Sequence, residues 1–216
     1  MTIQPKVKTG GPFTWTQIQQ IVNANQLESF ARSEEQYYKY QQFKSDLSSQ
    51  GITLNDHVLK DELQWKQSDI RCQTSPATKS LPREYSISQP QDLIFYSDDD
   101  IKIIYNKFPY YFKDSVIHLC VWSKLIIPDD INSPEGDISP LTKRIIERYL
   151  KKTFIDKGVS KNNLVWFRNW TSLQSVRSVS HIHVLLHDVD DGLIQKLLGT
   201  SGNTLTLEDY KELLDE

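Results

Sequence analysis

Between Leu164 and His187 the chain reads LVWFRNWTSLQSVRSVSHIHVLLH, and three of its five histidines fall in this run. His181 and His183 alternate with Ile182 and Val184, and the apolar character continues through Leu185 and Leu186. Alternation at a period of two predicts a strand with imidazoles on one face and aliphatic side chains on the other. Side chains two residues apart on a strand stand roughly 7 Å apart on the same face, within reach of one ligand or one phosphate. A core strand favours Val or Ile, and a solvated strand has little use for paired imidazoles. The segment therefore has two readings: a ligand-binding pair, or two hydrogen-bonded histidines on a half-buried strand.

A second segment, Ile101 to Lys124, reads IKIIYNKFPYYFKDSVIHLCVWSK. Two β-rich runs, IKIIYN and VIHLCVW, flank a turn-like KFPYYFKDS, which predicts a hairpin with a long loop. The element Asn106-Lys107-Phe108-Pro109-Tyr110, a strand holding His118 and the late His-x-His strand together resemble the histidine-triad fold. In that family the late strand reads Q-S-V-x-H-x-H-x-H, and its middle histidine attacks a phosphate. Here Arg177-Ser178-Val179-Ser180-His181-Ile182-His183-Val184-Leu185 falls on the pattern, with His181 first and His183 in the middle. Leu185 stands where the third histidine belongs, Arg177 replaces the glutamine, and Thr171 to Val176 holds no glycine. This resemblance covers about the C-terminal half of the chain and implies a phosphate-directed site on that strand.

A closer resemblance spans most of the chain. Its elements, in order, are Trp15 leading an amphipathic helix and the cluster Tyr37-Tyr38-Lys39-Tyr40. Asn106 to Tyr110 and His118-Leu119-Cys120-Val121-Trp122-Ser123-Lys124 come next, then Trp166-Phe167-Arg168-Asn169-Trp170 and His181-Ile182-His183-Val184. On these the sequence is identified as a member of the fungal N-acetylglucosamine-induced protein 1 family. Membership implies a fungal cytoplasmic protein linked to the N-acetylglucosamine response and to chitin metabolism. It implies no established reaction.

Bulk properties narrow the function classes. The 216 residues suffice for one compact domain with a core that needs no staples. Apolar content is 38%, and eight Phe, ten Tyr and five Trp supply large buried area per residue. The formal net charge of −3 argues against a dedicated nucleic-acid binder. Cys72 and Cys120 have no metal or redox spacing, and reduced thiols fit a cytosolic compartment. No stretch approaches the ~20 apolar residues that span a bilayer, the N-terminus lacks a signal-peptide core, and neither end carries a lipidation motif. Membrane partners are therefore not expected.

Composition and patterning divide the chain into four parts: a flexible arm at 1–13, a helical layer at 14–67, a polar connector at 68–92 and an α+β core at 93–216, which the resemblance implies is histidine-triad-like. Thr14 with Gln17 reads as a capping box, Ser33 as the cap of a second helix and Asn55 as the cap of a third. Tyr37, Tyr40, Phe43 and Leu47 mark the second helix's apolar stripe, a pattern that usually faces a core. The connector, rich in Ser, Thr, Gln and Pro, is too long for an ordinary loop and reads as mobile or as a lid. Asp98-Asp99-Asp100 reads as a solvated turn. Ser139-Pro140 starts a helix whose basic residues Lys143, Arg144, Arg148, Lys151 and Lys152 read as a solvated face, and Thr206 with Asp209 caps a last helix. Strands at 93–96, 101–105, 116–122, 164–168 and 179–186 complete an α+β fold: a helical layer, then an antiparallel sheet with a crossing helix.

The chemistry on offer centres on histidine, whose ordinary pKa suits acid, base or nucleophilic work on phosphates. On the histidine-triad resemblance His183 attacks phosphorus and His181 orients it. Any reaction is then hydrolysis or transfer of a phosphate ester or nucleotidyl group. Asn106, Lys107, His118, Lys124, Arg168, Asn169 and Arg177 are the candidate ligand-binding residues, and Trp166 offers a face for a base or sugar. The expected partner is a phosphorylated small molecule or nucleotide sugar. The alternative is a regulatory or adaptor protein that keeps the fold without chemistry. His181 and His183, with His118 or His187, offer nitrogen ligands to zinc, but sequence fixes no third ligand and assigns no metal.

Overall fold

The computed structural model describes residues 7–73 and 85–215. Its frame is a four-stranded antiparallel sheet formed by β1 (Ile101–Tyr105), β2 (Val116–Ser123), β3 (Leu164–Phe167) and β4 (Ser180–His187), in the order β1-β2-β4-β3. The register pairs Cys120 with His183, Trp122 with His181 and His118 with Leu185. Because strand side chains alternate, this places His118, Cys120 and Trp122 on the same face as His181, His183 and Leu185. The expected strand at 93–96 does not form. Phe95 takes a left-handed backbone (φ 57°), and the carbonyls of Ile94 and Phe95 accept from the Tyr210 hydroxyl and the Leu205 amide. Those bonds replace a ladder, and Leu93, Ile94 and Phe95 are buried as core.

Helices cover both faces. α1 (Trp15–Asn23), α2 (Glu34–Ser49) and α3 (Leu54–His57) form the N-terminal layer, while α4 (Pro140–Thr153), α5 (Asp191–Leu197) and α6 (Leu207–Asp215) cover the opposite face. Thr14 and Gln17 make the expected capping box, and Ser33, Ser139 and the Thr206–Asp209 pair cap where their spacing predicts. Thr53, not Asn55, caps α3: its hydroxyl accepts the Asp56 amide at 3.1 Å. α3 then widens into a π-helical turn, Val58–Leu63, ended by Gln64 at φ 60°.

The larger core lies under α4–α6. Ile103, Leu119, Val121, Ile182, Val184 and Leu186 meet Ile145, Ile146, Tyr149, Ile194 and Tyr210 there. The other face carries two smaller clusters. One joins Val58, Leu59, Leu63 and Trp65 to Cys120 and Trp122; the other joins Phe13, Ile18, Leu27 and Phe30 to Phe112, Phe167 and Leu185. The basic residues of α4 are paired rather than simply solvated: Lys143 with Asp137, Lys151 with Asp156, and Arg148 and Lys152 with Asp209.

The described end of the N-terminal arm is anchored. Val7 bridges to Arg32, and buried Phe13 bridges to Phe112. The described ends of the connector are packed too: Arg71 binds Asp100, Gln73 is buried, and Tyr85 joins the larger core. Residues 74–84 of the 68–92 connector, the middle of the expected mobile segment or lid, lie outside the described residues. Asp98–Asp100 form the expected turn, with Asp98 accepting from Ser201 and Thr204. Among the described residues no helix is long and apolar enough to cross a membrane.

Candidate functional site

Between the two small clusters, the N-terminal layer stands off the sheet and leaves a cavity of about 630 Å³. Its floor is the imidazole-bearing face of β2 and β4. Cys120, Trp122, His181 and His183 line it, and Asn169 joins them from the turn after β3. The walls bring Arg32, Tyr40 and Lys44 from α2 and its approach, Glu62 from the π-helical turn, and Asn106, Lys107 and Tyr110 from the β1–β2 loop. The widened turn matters here, since Val58 and Glu62 both reach the cavity while Leu59 and Leu63 pack on the sheet.

The floor is a chain of hydrogen bonds whose polarity can be worked out. Asn106 Oδ1 accepts the Phe108 amide at 3.0 Å, so the atom 3.1 Å from His118 Nε2 is its Nδ2, a donor. His118 Nε2 must then accept, and its proton sits on Nδ1. His183 Nδ1 lies 3.0 Å from the same nitrogen and must donate to it. That leaves the lone pair of His183 on Nε2, 3.2 Å from Asn169 Nδ2, which donates. Asn169 Nδ2 also reaches the Tyr110 hydroxyl at 3.1 Å. The network leaves two buried atoms unpartnered, His118 Nδ1 and Asn169 Oδ1. Such orphans are uncommon in native interiors and call for an explanation.

Burial keeps these rings neutral. Loss of water lowers the His118 pKa to about 3, helped by Arg32 and His181. His181, stacked on Trp122 at 4.2 Å, is lowered to about 4 by burial and then by Arg168. His183, stacked on Phe167 at 4.7 Å, falls well below the ordinary value through burial, then through His181, His118 and Arg32. Burial also raises the Cys120 thiol.

The walls are cationic. The Arg32 guanidinium lies over the Tyr40 ring at 4.4 Å and donates from Nε to the Phe108 carbonyl. Lys44 sits over the same ring at 4.7 Å, and both burial and Arg32 lower its pKa. Among the described residues neither cation has a carboxylate partner. Lys107, in contrast, is 3.3 Å from Glu62.

Of the residues singled out from sequence, His181, His183, Asn106, Lys107, Asn169 and Arg177 line the cavity, and His118 supports it from behind. Four lie elsewhere. Trp166 points to the opposite face and packs on the larger core, because it follows Val165 by one residue on β3. Arg168 is 8% exposed and braces a loop, donating to Asp129 and to the carbonyls of Gly136 and Ile127. Lys124 lies over Trp65, away from the cavity. His187 stacks on Trp15 at the far end of β4 and joins no ligand set. Arg32, Tyr40, Lys44, Glu62, Tyr110, Cys120 and Trp122 line the cavity without having been named as site residues from sequence. Parity along β2 was a usable signal for Cys120 and Trp122. No local signal marks Arg32 or Lys44, which reach the site only through packing.

Comparison with known proteins places the chain in a family. N-acetylglucosamine-induced protein 1 of Candida albicans is 54% identical over 209 residues, 96% of this chain and 82% of that protein. The Saccharomyces cerevisiae protein YPL067C, described as uncharacterized, is 27% identical over 173 residues, 80% of this chain and 77% of that one. Among solved structures, the crystal structure of HTC1 superposes with a TM-score of 0.58 at 24% identity, covering 94% of each chain, a likeness of fold. Residues 14–187 match the family described as Protein of unknown function (DUF3605), and with the Candida relative this establishes that the chain belongs to that N-acetylglucosamine-induced protein 1 family.

Proposed function

We propose that the cavity binds a phosphorylated small molecule, such as a nucleotide or nucleotide sugar. Its anionic group lies against Arg32 and Lys44, and its ring or sugar face lies on the aromatic wall. The observation that carries this reading is the pair of cations. Arg32 and Lys44 share one tyrosine ring at a partly dry wall, with no carboxylate for either among the described residues. Two like charges held so close disfavour each other until an anion joins them, and a planar guanidinium beside an ammonium suits an oxyanion with several acceptors. Lys107 and Arg177 add charge at the rim, while Tyr40, Tyr110 and Trp122 offer flat faces. The name of the Candida relative ties that protein to induction by N-acetylglucosamine, so amino-sugar phosphates and nucleotide-linked amino sugars are the first of the class to test. A cytoplasmic place and a link to chitin metabolism belong to the same proposal.

A second reading is catalysis on a histidine-triad-like frame. The Asn106 orientation leaves the His183 Nε2 lone pair as the nitrogen available to attack phosphorus. Two facts favour binding without fast turnover. Leu185 is 0% exposed at the position of the third imidazole, and Asn169 already occupies the Nε2 lone pair. Loss of one donor to developing charge typically costs about 10²–10³ in rate. The regulatory or adaptor role is this same pocket without chemistry.

The test is a melting panel on chelator-treated full-length protein with inorganic phosphate, adenosine monophosphate, UDP-N-acetylglucosamine, N-acetylglucosamine phosphate and N-acetylglucosamine. Phosphorylated members are expected to stabilise, by about 2.7 kcal/mol at a hundredfold over their dissociation constant. Arg32→Gln and Lys44→Gln should each abolish most of that gain. A panel in which no phosphorylated compound acts, or in which Arg32→Gln responds as the parent does, would overturn the proposal.

A further inference from the structure

The floor of the cavity holds a second possibility that needs no anion. His118 and Cys120 are two residues apart on β2, and His183 faces Cys120 across the ladder. Backbone pairing thus fixes three ligand-type side chains on one face, and all three are buried. His118 Nε2, Cys120 Sγ and His183 Nδ1 lie within 4.8 Å of one another. His118 Nε2 to His183 Nδ1 is 3.0 Å, and Cys120 Sγ to His183 Nδ1 is 3.6 Å. A tetrahedral zinc ion with ordinary bond lengths has N–N edges of about 3.3 Å and S–N edges of about 3.5 Å. The two measured edges come within a few tenths of an ångström of those values before any ion has drawn the ligands into place.

We propose that His118 Nε2, Cys120 Sγ and His183 Nδ1 bind one thiophilic divalent cation of the zinc class, with its fourth position open to the cavity. Three protein ligands plus an open position is the pattern of a reactive rather than a sealed zinc site. Both histidines are neutral, as a ligand requires. The ion takes the Cys120 thiolate, and the thiol proton leaves to solvent. The proton of His183 moves to Nε2, freeing Nδ1 for the ion. Asn169 then turns its amide end for end, so that Oδ1, now unpartnered, accepts from His183 Nε2–H and from the Tyr110 hydroxyl. Such outer-shell acceptors orient metal-bound histidines. Without an ion the turned amide would set two imidazole lone pairs against each other at 3.0 Å, which disfavours it. The two Asn169 orientations therefore correspond to the metal-free and the metal-bound floor. The ion also displaces the Asn106 amide from His118 Nε2, a competition that limits affinity.

Cobalt titration of the reduced, chelator-treated full chain tests this without any phosphorylated ligand. One equivalent should produce the near-ultraviolet thiolate-to-cobalt band and the intense visible bands of a tetrahedral ion, and one equivalent of zinc should remove them. The exposed Cys72 provides the control: Cys72→Ser should keep the thiolate band, whereas Cys120→Ser should lose it. His118→Gln should weaken binding at least tenfold, and Asn169→Leu should weaken it by about 10- to 100-fold. If Cys120→Ser fails to fold, thiol modification in the Cys72→Ser protein substitutes, and zinc should slow reaction of Cys120 at least tenfold. Absence of the band at one equivalent, its persistence in Cys120→Ser, or unchanged thiol reactivity with zinc would overturn the site. Because the anion panel is run on chelated protein and cobalt is added without phosphate, either proposal can fail alone.

Discussion

At the centre of the floor, His183 uses both ring nitrogens and stacks on Phe167, so it is at once a cavity residue and a buried one. Its neutrality, and that of His118, has a thermodynamic consequence. Folding lowers both pKa values below the ordinary 6.5, so at pH 5 to 6.5 the unfolded chain holds protons that the folded chain excludes. Stability then rises with pH across that window and levels off above it. His181, lowered to about 4, adds a third such proton, and three such histidines give a slope approaching about 4 kcal/mol per pH unit near pH 5. Urea denaturation at several pH values from 5 to 7.5 measures it, and His118→Gln should remove about one proton's share. A flat profile through that window would mean that the rings titrate freely in the folded state. Arg168 makes the opposite point. It was expected at a cleft, yet its bonds to Asp129, Gly136 and Ile127 make it a brace, so its replacement should act on stability first.

Among the elements, β4 carries the sharpest division of labour. Ile182, Val184 and Leu186 enter the larger core, His181 and His183 face the cavity, and Leu185 is sealed under Phe13, Ile18 and Phe30. Leu185 is therefore not a vacant histidine position, because the N-terminal layer has filled the space above it. Leu185→His should fail to install a third catalytic imidazole. It should destabilise the protein by about 2–5 kcal/mol, through lost packing and a buried polar ring with no partner. Denaturation curves beside the parent check this, and an undiminished midpoint would show that the layer opens there. The π-helical turn after α3 is the element through which that layer shapes the cavity, since it presents Glu62 and Val58 from the helical side.

For the whole molecule, the sheet is the shared wall of two hydrophobic regions: the larger core under α4–α6, and the two clusters under α1–α3 and the π-helical turn. Losing the N-terminal layer would expose Cys120, Trp122, Phe167 and Leu185, residues of the strands that hold the larger core. Unfolding should therefore be one cooperative event. Trp122 reports the N-terminal side and Trp166 the α4 side, so variants keeping only one tryptophan provide separate probes. Their fluorescence transitions should coincide with each other and with far-ultraviolet circular dichroism. A Trp122 signal lost at lower denaturant than Trp166 would show that the N-terminal layer is an independent unit.

Local signals decided a good deal by themselves. Period-two alternation and β-rich composition located four strands to within a residue or two, and cap chemistry placed the starts of α1, α2, α4 and α6. Capping and alternation are written within a few neighbouring residues, which is why they are readable. They misled where a longer-range partner won. Residues 93–96 have strand composition, but Tyr210 and Leu205 took their carbonyls, and α5 carries a pattern too short to stand out. For the site, the sequence marked the imidazoles and both asparagines, since each belongs to a recognisable strand or turn. It overcounted Trp166, Arg168 and Lys124 because residue type alone does not tell which face a side chain takes. Only the tertiary structure brought Arg32 and Lys44 over Tyr40, aligned Cys120 with His183 and set His118 against it. The physical reason is that a pocket exists where distant elements fail to close on one another. That gap depends on how α2 and the π-helical turn pack across the sheet, not on any stretch of neighbouring residues.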